Sequence, residues 1–367
     1  MVHDLCPNGV EWKTLGEVAI SLKKATLVQS ALISNGEYPV INSGRDLYGR
    51  YDKYNNEGNA FVIAARGEYA GFVNYMPSRF WAGGLCYPYR SKAEEVLTTK
   101  FMFYYLKSQE NTIRETLVTR GSIPAINKQD VDQIPIPLPP LSIQAEIVNL
   151  LDKFTQLLAD LKTELKLRRK QYDYYRNHLL SFDANSTTVQ WMPLGEVAEL
   201  KAGKSIAASQ IFASHSLEHQ YPCFGGNGIR GYVNSFSHQG EFPIIGRQGA
   251  LCGCVNYAKG DFYATEHAVV AKPKGDIISR FLFYMLQNAD LNQYKTQGAQ
   301  PGLSVTKLNA IVFPIPPIAE QERIVGILDK FETLVNDLSK GLPAEIALVQ
   351  KQYEYYRNML LTFESQE

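Results

Sequence analysis

The chain has 367 residues, of which 45% are hydrophobic and 20% charged, as in a packed globular protein with two or more domains. Its 37 basic and 37 acidic residues balance, which excludes a generally basic protein that coats nucleic acid but allows DNA binding through a local basic cleft. No apolar run is long enough to span a bilayer, we find no signal peptide, and the cysteines are odd in number and scattered. We therefore expect a cytoplasmic protein with no membrane partner.

Internal repetition is the most prominent feature of the sequence, because six segments occur twice in the same order. The first copies are WKTLGEVA at 12–19, GFVNY at 71–75, FMFYYL at 101–106, IPIP at 134–137, LDKF at 151–154 and QYDYYRN at 171–177. Their counterparts are WMPLGEVA at 191–198, GCVNY at 253–257, FLFYML at 281–286, VFPIP at 312–316, LDKF at 328–331 and QYEYYRN at 352–358.

Each copy begins with a globular module. Short apolar runs such as 61–64 and 267–270 alternate with Gly and Asn turns, which predicts short strands. A proline-rich connector at 134–140 or 314–317 follows, which no helix can cross. The helical segments beyond it are almost identical in sequence, whereas the modules match only at short motifs that mark turns and the boundaries of structural elements. This contrast indicates two modules that do one job on different targets.

Each copy ends in a segment with the heptad spacing of a coiled coil. Apolar residues recur at steps of four and three, interrupted in the first copy only by Arg168. Two such stripes in one chain predict antiparallel pairing within the molecule, with a module at either end of a rod. The predicted seam consists of Ile147, Leu151, Phe154, Leu158, Leu161, Leu165, Tyr172, Tyr175 and Leu179, and of Ile324, Leu328, Phe331, Val335, Leu338, Tyr353, Tyr356 and Leu360.

The two helical segments differ in length. From LDKF to QY the spacing is 20 residues in the first copy and 24 in the second, and the additional residues fall around GLPA at 341–344. Gly followed by Pro ends one helix and starts another, so we predict a break near 341–343. A helix of about 40 residues is roughly 60 Å long. The modules would overlap the ends of this helix, so their reading surfaces would lie closer together than roughly 60 Å. One turn of DNA advances roughly 34 Å, and such a rod therefore suits two half-sites about one turn apart.

These features resemble the specificity subunit of type I restriction–modification systems, over essentially the whole chain. The family's helix-initiating motif is present as PLPPLSIQAEIVNLLD at 137–152 and IPPIAEQERIVGILD at 315–329, and its second helical motif as KQYDYYR at 170–176 and KQYEYYR at 351–357. The resemblance implies an α+β fold with an internal pseudo-twofold: a target-recognition domain at 1–140, a spacer helix at 141–182, a second target-recognition domain at 183–318 and a second spacer helix region at 319–367.

The resemblance also implies a function without catalysis. Each domain would read one half of a split, asymmetric site in double-stranded DNA, and the helices would set the spacer. Two modification subunits would carry S-adenosylmethionine and methylate adenine, and restriction subunits would cleave with ATP and Mg²⁺. This chain itself would hold no cofactor. The alternative from another class is a coiled-coil scaffold that binds only proteins and has no DNA specificity.

Motifs for catalysis or metal binding are absent from the sequence. It contains no Asn/Asp-Pro-Pro-Tyr/Phe box of an adenine methyltransferase. Gly203-Lys204-Ser205 resembles the end of a phosphate-binding loop, but Ala198 stands where the opening glycine belongs. Cys252 and Cys254 match no common zinc spacing, so we interpret them as small apolar residues. We therefore predict neither an enzyme nor a metal site.

Candidate DNA contacts lie in glycine-rich loops at equivalent places in the repeat. Arg forks suit guanine, Asn and Gln amides suit adenine, and Lys and backbone amides hold phosphates. Alternatively these are ordinary turns whose glycines serve backbone geometry, and the repeated tyrosines serve helix packing or subunit docking rather than base stacking. The candidates are Asn42, Ser43 and Arg45 with Asn227 and Arg230; Arg66 with Arg247 and Gln248; Arg120 and Ser122 with Gln297 and Gln300; and, facing phosphates, Lys23 and Lys24 with Lys201 and Lys204.

Overall fold

The computed structural model describes residues 6–119, 121–249, 252–296 and 301–366. It divides into two compact units, the first comprising Met1–Lys162 with Glu345–Glu367 and the second Thr163–Ala344. The sequence-based boundaries at 140, 182 and 318 divide the chain differently, because the contacts assign each stretch of long helix to the module against which it packs. Helices and sheets occur together in both units, which confirms the expected α+β class. Among the described helices, none has the length and apolarity needed to cross a membrane.

The elements of the first copy follow the predicted order of module, connector and long helix. The strands are β1 Glu11–Thr14, β2 Ala19–Ser21, β3 Tyr38–Ile41, β4 Gly49–Tyr51, β5 Ala60–Ala64, β6 Val73–Met76, β7 Trp81–Ala82, β8 Cys86–Ser91 and β9 Pro135–Leu138. The helices are α1 Leu15–Val18, α2 Thr99–Ser108, α3 Glu110–Thr116, α4 Lys128–Asp132 and α5 Leu141–Leu179.

Strand β5 is the centre of the first module. The strands β2, β8, β5 and β6 lie in that order in an antiparallel sheet, and β4, β3 and β7 form a second sheet. Phe61 and Ile63 pack into the core shared with α2, whereas Ala60 and Val62 pack into a smaller core on the opposite face. Because both faces of β5 are buried, its sequence is a continuous apolar run rather than an alternating one. The proline-rich β9 pairs only with β1, at an edge where proline is tolerated.

The second copy repeats this order with one interruption in its final helical segment. The strands are β10 Gln190–Pro193, β11 Ala198–Ala202, β12 Tyr221–Gly225, β13 Gly228–Val233, β14 His238–Gln239, β15 Phe242–Gly246, β16 Val255–Ala258, β17 Asp261–Ala264, β18 Ala268–Pro273 and β19 Val312–Ile315. The helices are α6 Leu194–Val197, α7 Ser279–Asn288, α8 Val305–Asn309, α9 Ile318–Asn336 and α10 Leu342–Leu360.

The main sheet of the second module has the same strand order as that of the first, and its other sheet has one strand more. The strands β11, β18, β15 and β16 form one sheet in the order of β2, β8, β5 and β6, and β13, β12, β17 and β14 form the other. Ile245 and Val269 pack toward α7, while Ile244 and Val270 pack into the smaller core on the other face. The same alternation of partners along equivalent strands shows that the sequence repeat is a structural repeat.

In the first unit, the beginning of α5 packs against α10. Ile147 near the start of α5 shares a core with Leu360 at the end of α10. Farther along α5, the ring of Phe154 lies 6.3 Å from that of Tyr353 and 5.6 Å from that of Tyr356. This order of contacts is that of antiparallel helices. The predicted seam positions that are buried or in contact here are Ile147, Leu151, Phe154, Leu158, Leu161, Tyr353, Tyr356 and Leu360.

In the second unit, the end of α5 packs against α9. The ring of Phe331 lies 6.4 Å from that of Tyr172 and 5.4 Å from that of Tyr175. Leu328 and Ile324 are fully buried in the core of this unit. The predicted seam positions that pack in this unit are Leu165, Tyr172, Tyr175, Leu179, Ile324, Leu328, Phe331 and Val335.

The prediction that Leu338 belongs to the seam is wrong. Helix α9 ends at Asn336 and α10 begins at Leu342, so Leu338 lies in the turn between them, where it is 84% exposed. The hydroxyl and amide of Ser339 both donate to the Asp337 carboxylate, which lowers the pKa of that group. The heptad spacing assumes a continuous helix and therefore assigns Leu338 to the seam, whereas the turn directs its side chain into solvent.

Gly341 closes this turn and accepts no side chain. A Cβ at this position would lie 2.3 Å from the carbonyl oxygen of Thr333 and 2.7 Å from that of Leu334. We expect Gly341→Ala to lower the free energy of unfolding by about 1–3 kcal/mol, measured by denaturant titration of the full chain. Gly326→Ala is the matched control, since a Cβ there has no heavy atom within 4 Å. It should stabilise α9 by about 0.5–1 kcal/mol, and equal effects of the two changes would contradict the steric argument.

Candidate nucleic-acid interface

The second and third glycine-rich loops meet in each unit through the same backbone pairs. In the first unit, the amide of Gly67 donates to the carbonyl of Pro124 (2.8 Å) and that of Ile126 to Ala65 (2.9 Å). In the second unit, Gly249 donates to Pro301 (3.1 Å) and Leu303 to Arg247 (2.9 Å). Residues that are distant in sequence are therefore held at one place in each module. The arrangement matches bond for bond between the copies.

The first glycine-rich loop joins the other two. In the first unit, Asn42 Oδ1 accepts from the amide of Leu85 (2.9 Å), and Leu85 in turn accepts from the amide of Ala65 (2.9 Å). In the second unit, a Cβ on Gly226 would lie 2.9 Å from the carbonyl oxygen of Gln248. The glycine therefore permits a close approach between the loops.

We name these three loops the loop cluster. Its residues are 42–45, 65–67 and 119–126 in the first unit, with 120 outside the described residues, and 226–230, 246–249 and 301–303 with 296 in the second. The loops that carry these amides, guanidinium groups and glycine backbones are thus held against one another in each module. This is the arrangement that base-edge and phosphate contacts require.

Most of the predicted contact residues lie on the surface. Asn42, Ser43 and Arg247 are partly buried. Three further predictions, Arg120, Gln297 and Gln300, lie outside the described residues. The exposed ones are Lys23, Lys24, Arg45, Arg66, Ser122, Lys201, Lys204, Asn227, Arg230 and Gln248.

Some of these side chains already have partners within the protein. Lys24 lies over the ring of Tyr87, 4.5 Å from its centroid. Lys201 pairs with Glu199 at 2.6 Å, but both side chains are exposed, and pairs of this kind contribute little. The carboxamide oxygen of Asn42 is used to hold its own loop, as described above. Contacts within the protein therefore use part of the charge and hydrogen-bonding capacity of these loops.

The positive charges of the second module act on a nearby histidine. Burial lowers the pKa of His238, and the charges of Lys204 and Lys201 lower it further. The imidazole is therefore held in its neutral form. No group of three or more His, Cys, Asp or Glu side chains suited to a metal ion occurs among the residues that the structure describes.

Comparison with known proteins identifies the family. The model described as "Type I restriction modification DNA specificity domain" matches residues 7–168 and again residues 187–348. The chain belongs to this family. The specificity subunit of EcoprrI from Escherichia coli is 42% identical over 266 residues, which cover 70% of this chain and 66% of that protein. A putative specificity subunit of Haemophilus influenzae is 31% identical over 96% of both chains, and the EcoR124I/EcoR124II specificity subunit of E. coli is 30% identical over 98% of this chain and 95% of its own length.

Solved structures show the same fold. The crystal structure of a type I specificity subunit from M. genitalium matches with a TM-score of 0.68 at 21% identity, covering 96% of each chain. A structure described as the basis of complex assembly and conformational transition of the type I R-M system matches with a TM-score of 0.57 at 17% identity. The match covers 97% of this chain and 98% of that one. The protein is thus a non-catalytic specificity subunit that recognises a DNA target, and the protein-only scaffold is not supported.

The two modules of the specificity subunit carry different side chains on the same frame. The amide of Ala65 donates to Leu85 in the first unit, and that of Arg247 donates to His267 in the second, both at 2.9 Å. Ala65 therefore corresponds to Arg247 and Leu85 to His267, so that Gly84 corresponds to Glu266. Our sequence search missed Glu266 and His267 because it considered glycine-rich turns only. Aligning GFVNY with GCVNY would have found them.

Three polar atoms at this place in the second module have no hydrogen-bond partner among the described residues, although they are buried. They are Arg247 Nε, Glu266 Oε2 and His267 Nδ1. His267 Nε2 lies 3.3 Å from Glu266 Oε1, which joins two of the three groups. Buried polar atoms are rarely left without a partner. The second module therefore has polar side chains with buried, unsatisfied atoms where the first has Ala, Leu and Gly.

Each module is attached to its long helix by a buried glutamine from the helix-initiating motif. Gln144 accepts from the amide of Thr98 (2.9 Å) and donates to the carbonyl of Pro139 (2.8 Å). Gln321 accepts from Ile278 (3.0 Å) in the same way. The two glutamines are 0% and 2% exposed. The motif therefore anchors the start of the long helix to the module.

A second attachment lies about two turns farther along each helix. In the first unit, Asp152 accepts from Tyr104 (2.5 Å) and pairs with Lys100 (2.6 Å). In the second unit, Asp329 accepts from Tyr284 (2.5 Å) and pairs with Arg280 (2.7 Å), which also pairs with Glu332. Burial, followed by the hydrogen bond to the carboxylate, raises the pKa of both tyrosines, so they remain neutral donors.

Proposed function

We propose that each loop cluster reads one half of a bipartite, asymmetric DNA site, and that the long helices set the spacer between the halves. The observation that carries the proposal is a shared backbone frame with divergent side chains. The same hydrogen bonds hold Ala65 and Arg247 in place, yet one is apolar and the other is a fork of donors. A common frame positions both readers alike on a duplex, while the side chains select different bases.

We further propose that two modification subunits, which would hold S-adenosylmethionine, dock on the helices, and that restriction subunits using ATP and Mg²⁺ join them. Support comes from the near identity of 171–177 and 352–358, since equal surfaces suit two copies of one partner. Tyr174 and Tyr355 are 64% and 63% exposed at equivalent positions. The protein would act in the cytoplasm, in keeping with its five free cysteines.

Exchange of one module tests the assignment of half-sites. Residues 11–140 would be replaced by the corresponding module of a relative, and the chain expressed with its modification subunits. Sequencing of methylated adenines in the genomic DNA of these cells should show one half of the recognised sequence changed and the other retained. The reciprocal exchange of residues 190–317 is the matched control and should change the other half. Alteration of both halves by one exchange would contradict modular reading.

Lengthening the spacer helix tests its role as a ruler. Four residues inserted into the exposed stretch of α5 near 166–170 add about 6 Å of helix, or roughly two base pairs. We expect the methylated site to keep both half-sites and to gain about one to two base pairs between them. Four substitutions without insertion in the same stretch serve as the control. A spacer of unchanged length would refute this role for the helix.

A further inference from the structure

At one position of the loop cluster, the second module carries side chains that donate and accept hydrogen bonds, whereas the first carries none. Arg247 brings donors, Glu266 an acceptor, and His267 a ring held against the Glu266 carboxylate. In the described part of the chain Arg247 and Glu266 form no ion pair with each other. Arg247 and Glu266 therefore do not satisfy each other, and both side chains are only partly buried, so part of each reaches the surface on which the three loops meet.

We propose that Arg247 and Glu266 together read one G·C base pair in the half-site of the second module, with His267 as the residue that positions the carboxylate. This inference rests on the proposed function, because it names the base pair that the loop cluster recognises. The first module reads the equivalent place in its half-site without a hydrogen-bonding side chain, since Ala65, Gly84 and Leu85 stand there.

The order of groups in the major groove favours G·C over A·T. A G·C pair presents two adjacent acceptors, guanine N7 and O6, followed by the donor N4 of cytosine. An arginine fork satisfies both acceptors and a carboxylate accepts from the amino group. An A·T pair instead presents an acceptor, a donor, an acceptor and a methyl group. It would leave one arm of the fork facing a donor and the carboxylate facing an acceptor.

The environment of the carboxylate supports this assignment. Burial raises the pKa of the nearby Cys223 thiol, the charge of Arg230 lowers it and that of Glu266 raises it. Arg230 and Glu266 thus both lie within electrostatic reach of one buried atom. The side chain of Glu266 is 40% exposed and that of His267 is 38% exposed, so both reach the surface as well as the interior. The positive charge of Arg230 draws a phosphate backbone toward a surface that also holds a carboxylate.

The test compares the methylated sites of variant subunits in the cell. Full-length variants would be expressed with the modification subunits, and methylated adenines mapped on genomic DNA. We expect the wild-type second half-site to contain a G·C pair that Arg247→Ala no longer requires, with discrimination reduced about 10- to 100-fold at that position alone. Glu266→Gln should relax the same position. Lys307→Ala, an exposed charge removed elsewhere in the unit, is the control and should leave the sequence unchanged.

Arg247→Lys distinguishes a change in base preference from a loss of folding or of general DNA affinity. It keeps the positive charge but lacks the fork, so methylation should persist with weaker discrimination at the same base pair. Full retention of that preference in Arg247→Lys and Glu266→Gln, or relaxation in the first half-site, would overturn the inference and leave the proposed function intact. Failure of the wild-type complex to methylate a two-part site would overturn both.

Discussion

Simultaneous replacement of Asp329 and Glu332 by alanine is expected to lower the free energy of unfolding of the second unit by about 3 kcal/mol. Both carboxylates pair with Arg280, whose side chain is only 18% exposed. Burial opposes the charge of Arg280, yet the charge of Glu332 and the contacts with Asp329 outweigh it, so the pKa of Arg280 is raised. Removal of both partners leaves a guanidinium in a poorly hydrated site next to Tyr284. Unfolding of the full chain in denaturant would measure the loss.

The first unit provides a matched comparison. Lys100 and Asp152 occupy the equivalent positions, but their side chains are 34% and 37% exposed. Solvent screens this pair, so Asp152→Ala should cost about 1 kcal/mol or less beyond its hydrogen bond to Tyr104. Equal losses in both units would show that burial of the cation does not control the energy. The predicted difference arises from the deeper burial of Arg280 and from the loss of its second carboxylate partner, Glu332.

Gln144→Met is expected to lower the free energy of unfolding of the first unit by about 2–3 kcal/mol. The glutamine is completely buried, and its amide accepts from Thr98 and donates to the carbonyls of Pro139 and Val96. Methionine has a similar volume, so the change isolates the hydrogen bonds from the packing. The backbone amide of Thr98 would be left without its partner. Because this contact anchors α5, methylation in the cell should decline as well.

A surface glutamine of the same helix is the control. Gln156 donates to Asp160 on an exposed face of α5, so Gln156→Met should change stability by less than about 0.5 kcal/mol. Gln321→Met should repeat the effect of Gln144→Met in the second unit, since its contacts correspond. Wild-type stability of both buried variants would contradict the view that the glutamine of the helix-initiating motif is a structural anchor.

Local patterns predicted the repeat, the short strands, the connectors and the long helices, whereas the α+β fold with its pseudo-twofold was implied by the family resemblance. Proline at 135 and 137 excludes a helix and confines the strand to an edge, whatever the rest of the chain does. The apolar stripes of α5, α9 and α10 follow from helix periodicity, and all predicted seam positions except Leu338 are buried or packed within a unit. Repetition of the same motifs predicted that the two modules share one plan, and their main sheets, β2-β8-β5-β6 and β11-β18-β15-β16, have the same strand order.

The sequence by itself therefore determined the repeat, the order of module and helix, and the face of each helix that is buried, because these depend on interactions between residues near one another in the chain. Only the tertiary structure decided that Leu338 is turned into solvent and that His267 contacts both Arg247 and Glu266. Those outcomes depend on hydrogen bonds between strands and loops remote in sequence, such as that from Arg247 to His267. No periodicity records such contacts, since the chain must fold before these groups meet.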